Sequence, residues 1–195
     1  MENSTNTKSI FASYASRLQT VLESADWTGV EILASNMYDC WKNGRRIFLC
    51  GNGGSAGNAI HLANDFLYGI AKRSGGGLKV MALSSNPAVI TCLANDVGYE
   101  NIFSEQLAVQ AESGDLLIAL SGSGNSPNMV RVIEQAKSMH VKSFAILGFN
   151  GGKCKQIADI AIHFQIDDMQ ISEDLQMIVG HMLMQWLYER REKLL

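Results

Sequence analysis

Five short apolar runs constrain this chain more than any other feature: RIFLC (46–50), LKVMAL (78–83), DLLIAL (115–120), KSFAIL (142–147) and IADIAIHF (157–164). Each has strand length and lacks the polar alternation of a sheet with one wet face, so each is expected to be buried on both sides. Between them lie Gly, Ser or Asn residues followed by apolar positions at helical spacing. Strands that alternate with helices need right-handed crossovers, and these give a parallel sheet covered on both faces. The expected fold class is α/β, a three-layer sandwich around a five-stranded parallel sheet.

Helical spacing of Phe11, Tyr14, Leu18 and Val21, then of Val30, Leu33, Met37 and Trp41, predicts two helices before the first strand, with Asp26 or Thr28 capping the second. A long closing helix is predicted from about Ser172 to Lys193. Its apolar residues, Leu175, Ile178, Val179, Met182, Leu183, Trp186 and Leu187, cover more than one face, which points to burial against another subunit. Residues 1–195 read as one domain, a helical segment 1–44 followed by an α/β core with its closing helix over 45–195.

Composition narrows the partners. The net charge is −3 and no Lys/Arg stripe exceeds the pair Arg45–Arg46, so no nucleic-acid binding is expected. Cys40, Cys50, Cys92 and Cys154 show no CxxC spacing and read as core fillers. The polar start MENSTNTKSIF lacks the pattern of a secretory signal, and MIVGHMLMQWLY (177–188) is broken by His181 and Gln185 and too short for a bilayer. The expectation is a reduced, cytoplasmic protein with no membrane contact.

Two turns carry the chemistry. CGNGGSAGN (50–58) follows the first run and opens a helix. Glycines at 51, 53 and 54 permit positive φ and close backbone approach, and the helix N-terminus favours an anion. The turn is neither a P-loop nor a spaced GxGxxG fingerprint. LSGSGNSPN (120–128) follows the third run, with Ser121, Ser123 and Ser126 and with Pro127 where a helix should start. Hydroxyls and backbone N–H groups without Lys or Arg suit a phosphate monoester. On the first of these helices His61 and Asp65 are i and i+4, about 6 Å apart on one face, a spacing for two ligands of one metal or for an acid/base pair. His140 and His163 read as a helix-end residue and a strand side chain.

CGNGGSAGNAIHLAND (50–65), ANDVGYENIFS (94–104), LSGSGNSPN (120–128) and GFNGGK (148–153), in this order, resemble the sugar isomerase (SIS) domain family, most closely its phosphoheptose isomerases. The resemblance covers nearly the whole chain. It implies a sheet of flavodoxin-like order, a homotetramer with active sites between subunits, and a zinc ion. It places sugar phosphate on Gly53, Ser55, Ser121, Ser123 and Ser126, with Asn52 and Asp96 near the sugar hydroxyls. It makes Asp65 the base and His181 the acid of an enediol mechanism, and assigns zinc to His61, Asp65, Glu173 and His181. The implied reaction is the aldose–ketose isomerisation of sedoheptulose 7-phosphate.

The chain departs from the family pattern at several points. Gly122 stands where a threonine is common, Asp65 where glutamate is expected and Glu173 where glutamine is; an arginine after the first helix is missing, with only Lys72 and Arg73 nearby. Glu173 and His181 lie about 12 Å apart along an ideal helix and about 80° apart around it, so one ion touches both only if Glu173 precedes the helix or the two come from different subunits. The alternatives are a non-catalytic sugar-phosphate-binding module, of the type associated with the replication initiator DnaA, and an isomerase of another sugar phosphate.

Overall fold

A computed structural model of the protein describes residues 2–72 and 76–193. Its centre is a sheet of β1 (Arg46–Gly51), β2 (Lys79–Ala82), β3 (Leu116–Ser121), β4 (Lys142–Leu147) and β5 (Ile160–His163), in the order β2-β1-β3-β4-β5 with every neighbouring pair parallel. The five apolar runs are these strands, but only β1, β3 and β4 are buried on both sides as expected; β2, at the sheet edge, leaves Lys79 and Met81 exposed, and β5 at the other edge is only partly covered. The helices, in chain order, are α1 (Glu2–Ser24), α2 (Thr28–Lys42), α3 (Gly54–Asn64), α4 (Pro87–Asp96), α5 (Ser104–Gln110), α6 (Pro127–Ser138), α7 (Gly152–Ile157) and α8 (Met169–Arg190).

Side chains alternate across a strand, so an unbroken apolar run feeds two cores at once. Ile47, Leu49, Ile118, Leu120 and Ile146 enter the core shared with α2, α3 and α8, where Leu33, Met37, Leu62, Leu175, Val179 and Leu183 are buried. Phe48, Cys50, Leu117, Ala119 and Leu147 enter the opposite core, against Leu107 of α5, Met129, Val132 and Ile133 of α6, and Cys154 of α7. The expected three layers are therefore a direct result of the strand composition.

Asp26 accepts the Thr28 N–H at 3.0 Å, but the N-cap position of α2 is Trp27, which makes no side-chain capping bond, so neither expected residue is the cap. Asn86 caps α4, accepting from Ala88 and Val89 ahead of Pro87. Three larger departures concern Phe11, Cys92 and the start of α8. Phe11, expected on the packed face of α1, is 68% exposed, while Tyr14, Leu18 and Val21 do reach the core. Cys92 is not a core filler: it lies exposed on α4, a helix with no buried residue in the single chain, whereas Cys40, Cys50 and Cys154 are buried. Burial pushes the Cys50 and Cys154 thiols up, the latter to about 11.

The third departure is where α8 begins. It starts at Met169 rather than near Ser172, because Asp168 caps it: Asp168 Oδ1 accepts the Ile171 N–H at 3.0 Å, and Asp168 Oδ2 accepts from Arg17 of α1 at 2.5 Å. The Ile171 N–H and the Arg17 guanidinium hold this carboxyl below its usual range. A depressed folded-state pKa stabilises the fold above the unfolded value, and that stability is lost as pH falls through the folded value. Asp168→Ala is expected to cost about 1 kcal/mol at neutral pH. It should also flatten the acid limb of the stability profile, measured by denaturant unfolding from pH 7 downwards.

Candidate active site

The sheet order decides where a ligand sits. The chain leaves β1 for β2 on one side and β3 for β4 on the other, so the crossovers diverge between β1 and β3, the position at which open parallel sheets bind ligands. Gly51 pairs with Leu120 at the end of that ladder, which sets the glycine turn and the serine loop side by side. Between them lies a cleft of about 240 Å³ walled by Asn52, Gly53, Gly54, Ser55, Ser121, Gly122, Ser123, Ser126, Met169 and Glu173. Glycine is required at 51, where a Cβ would stand 2.6 Å from the Ser55 carbonyl oxygen, and at 53, where φ is +54°.

Three hydroxyls of this cleft already accept a hydrogen bond from the protein. Ser55 Oγ accepts from Gln176 Nε2 at 3.0 Å, Ser121 Oγ from the Gly124 N–H at 3.1 Å, and Ser123 Oγ from the Asn125 N–H at 3.3 Å. A hydroxyl that already accepts keeps its own proton for another acceptor. Ser126 is the N-cap residue of α6, as its sequence predicts, yet its side chain makes no capping bond. The Gln176 amide is oriented by Asn58, whose Nδ2 donates to Gln176 Oε1 at 3.0 Å and to the Glu173 carbonyl at 3.0 Å.

Further along α3 and α8 three donor atoms converge. His61 Nε2 lies 3.4 Å from Asp65 Oδ2, His181 Nε2 lies 3.5 Å from the same oxygen, and the two Nε2 atoms are 3.4 Å apart. Both imidazoles are about half exposed, while Asp65 is mostly covered. Asp65 ends α3 at the point where the helix widens into a π turn, Asp65–Gly69, with the Ile70 N–H reaching back to the Asp65 carbonyl at 3.1 Å. Such turns recur at functional sites. The group His61, Asp65 and His181 fits a divalent cation: a tetrahedral ion with bonds of about 2.1 Å holds its ligand atoms about 3.4 Å apart, and three ligands leave one position open.

Other expected residues stand elsewhere. Glu173, assigned as a fourth ligand, lies inside α8 about two turns before His181; its carboxylate packs against Gly54 as part of the cleft wall, so a single chain does not bring it to the other three. Asp96 is at the exposed end of α4, where it accepts from Asn95 Nδ2 at 2.8 Å and from Cys92 at 3.4 Å, outside the cleft. Gly122 has lost a hydroxyl to an apolar neighbour, since a Cβ there would stand 2.5 Å from Met169 Sδ. Lys72 lies over the Tyr188 ring at 5.9 Å, and Arg73 falls outside the described residues. Sequence reasoning missed Asn58, Gln176 and Asn128; the only signal at Gln176 and Asn128 was a polar residue recurring on an apolar helix face.

A sheet of this order with a serine-lined, glycine-walled cleft at its switch point is a doubly wound α/β arrangement, of which the sugar isomerase domain is one class. Residues 10–148 match the SIS domain, and the chain belongs to that family. It is 38% identical to the phosphoheptose isomerase of Akkermansia muciniphila over 154 residues, 79% of this chain and 81% of the relative. It is 34% identical to the phosphoheptose isomerase of Helicobacter pylori strain P12 over 176 residues, 89% of each chain. The structure of a phosphoheptose isomerase from Francisella tularensis superposes with a TM-score of 0.87 at 24% identity, covering 94% of this chain and 97% of that one, and so shares its fold.

The close approach at Gly51 gives a direct check on the cleft. Gly51→Ala drives a methyl into backbone rather than into a movable side chain. It is expected to destabilise the protein by about 1–3 kcal/mol in denaturant unfolding and to weaken inorganic phosphate binding measured by calorimetry.

Proposed function

We propose that the protein isomerises sedoheptulose 7-phosphate to an aldoheptose 7-phosphate through an enediol, the kind of reaction for which its relatives are named. The convergence of Asp65, His61 and His181 carries this reading, because a module that only binds sugar phosphate has no use for a proton-transferring carboxylate and two imidazoles at 3.4–3.5 Å. The substrate's phosphate is assigned to the cleft. Ser55, Ser121, Ser123 and Ser126 offer protons there, and the Gly53–Ser55 turn opens α3, whose dipole favours an anion.

The sugar end is assigned to the three converging side chains. Ser55 and His61 are separated by about 9 Å of rise along α3, a distance of the order of an extended open-chain heptose phosphate. Phosphate binding far from the reacting carbons holds C1 and C2 in place, so its energy appears as orientation. Asp65 has two oxygens: Oδ2 faces both histidines, and Oδ1 is the atom that takes the proton α to the carbonyl. His181 donates to the carbonyl oxygen at C2 from its Nδ1–H, Nε2 being the atom turned to Asp65 and His61; Asp65 then delivers its proton to C2 while His181 takes the proton of the C1 hydroxyl, which leaves the aldehyde. Each such group typically contributes about 10²–10⁴ in rate.

His61, Asp65 and His181 would hold zinc, and a bound zinc ion supplies Lewis-acid polarisation of a carbonyl. Glu173, as a wall of the phosphate cleft, is assigned to the substrate side of the site, where its charge opposes a dianion and favours phosphate in its monoanionic form. A homotetramer is supported by apolar residues exposed on the single chain around this face, among them Ile60, Leu67, Tyr68 and Met182, together with Phe11. A cytoplasmic location accords with the described residues, in which no helix is long and apolar enough to cross a membrane.

Turnover of sedoheptulose 7-phosphate, with zinc assayed on the same sample, tests the reading. Asp65→Ala and His181→Ala are each expected to lower kcat/KM by about 10²–10⁴ and to lower the zinc content. A zinc-loaded wild type that binds the ketose phosphate without converting it would instead establish a binding module.

A further inference from the structure

Three loops that leave three adjacent strands meet on one side-chain amide. Asn52, in the turn after β1, and Asn128, in the first turn of α6 after β3, form a reciprocal pair. Asn52 Nδ2 donates to Asn128 Oδ1 at 2.8 Å, and Asn128 Nδ2 donates back to Asn52 Oδ1 at 2.8 Å. Tyr99 opens the 3₁₀ turn Tyr99–Asn101 that follows β2 and α4, and its hydroxyl donates to the same Asn52 Oδ1 at 3.1 Å. Asn128 is 1% exposed although it sits at the second position of a helix, where polar side chains ordinarily meet water.

The sheet does not need this tie. β1 and β3 are already joined by their ladder as far as Gly51 and Leu120. The amide pair joins the residues just beyond the ladder's end, where the backbone turns through Gly53 at φ +54° into α3. The bonds fill both acceptor positions of Asn52 Oδ1 and one of the two Nδ2 protons, so the side chain is held in one orientation at the cleft wall with one N–H left over. The pair tolerates little substitution, since each partner must supply both an N–H and a carbonyl oxygen.

We infer that Asn128 and Tyr99 are positioning residues for the phosphate cleft: they hold the glycine turn at a fixed distance from the serine loop, and tie the loop bearing Asp96 to the same point. This rests on the assignment of phosphate to the cleft. A site made of backbone N–H groups from one loop and hydroxyls from another closes on a single anion only at one spacing, so loosening the tie weakens binding without touching the groups that transfer protons.

The test compares wild type, Asn128→Ala, Asn128→Asp and Tyr99→Phe by calorimetric titration with inorganic phosphate and by steady-state kinetics on sedoheptulose 7-phosphate, with thermal unfolding recorded for each. Asn128→Ala is expected to raise the phosphate Kd and the KM together, about tenfold, with kcat changed less than about threefold. Tyr99→Phe should raise both about threefold, since the amide pair survives it. Asn128→Asp should bind weakly at neutral pH, where the new carboxylate opposes Asn52 Oδ1. It should recover toward the wild-type value at the same pH as the carboxyl is protonated, because the acid O–H restores the missing donor. A folded Asn128→Ala with wild-type Kd and KM overturns the inference, as does a loss confined to thermal stability. Wild type that binds phosphate but turns over no ketose removes the isomerase reading and leaves the phosphate titrations to decide this one; wild type that binds no phosphate overturns the inference.

Discussion

The parallel pairing of β1 with β3 is the interaction on which the rest of the site depends. Because the chain crosses from β1 to β2 on one flank and from β3 to β4 on the other, the turns after β1 and β3 have no helix between them at the carboxyl edge. Two loops remote in sequence, 51–54 and 121–126, thereby become the facing walls of one cleft. The pairing holds because the strands are apolar on both faces: Leu49 and Ile118 enter one core while Phe48 and Leu117 enter the other. A polar residue at any of these positions would destabilise one of the two cores, because its polar group would be buried without a partner.

The accounting of hydrogen bonds shows what a cleft without lysine or arginine offers to the phosphate proposed for it. Backbone N–H groups from Gly124 and Asn125, and the amide of Gln176, are spent on serine oxygens rather than on solvent. Each bond occupies a lone pair of a hydroxyl and leaves its proton for another acceptor, and a set of such protons beside a helix N-terminus can stand in for formal positive charge. Gln176 is itself fixed by Asn58, so the orientation of Ser55 is decided two residues away from any ligand. The same economy appears in Asp65, whose one covered carboxylate meets two imidazoles through a single oxygen.

Much of this was legible in the sequence, for physical reasons. Short apolar runs bounded by turn residues and alternating with helical patterns read as strands, so the sheet and its layers followed from RIFLC and its four counterparts, while the exposure of the edge strand β2 did not. The i, i+4 spacing of His61 and Asp65 fixed their mutual geometry before any tertiary contact was known, and helix arithmetic already separated Glu173 from His181. What was not legible depends on neighbours distant in sequence. Cys92 and Phe11 look like core residues by type, but the surfaces they face are not covered within one chain. Gly122 reads as a lost hydroxyl until Met169, from the start of α8, is seen to fill the space. Asn128 and Gln176 are polar residues whose burial arises only when a partner amide or hydroxyl arrives from another loop.

The central claim is that a carboxylate on this chain carries a proton between two carbons of a phosphorylated ketose. Incubation of the zinc-loaded protein with sedoheptulose 7-phosphate in D₂O, followed by NMR of the sugar carbons, tests it most directly. The account expects deuterium at C2 of the aldose and at C1 of the recovered ketose, because a proton held on Asp65 beside two half-exposed imidazoles exchanges with solvent. Aldose formed with no deuterium at C2, even after prolonged equilibration with the ketose, would mean that the transferred hydrogen never meets solvent, and would contradict the solvent-exchanging base assigned to Asp65.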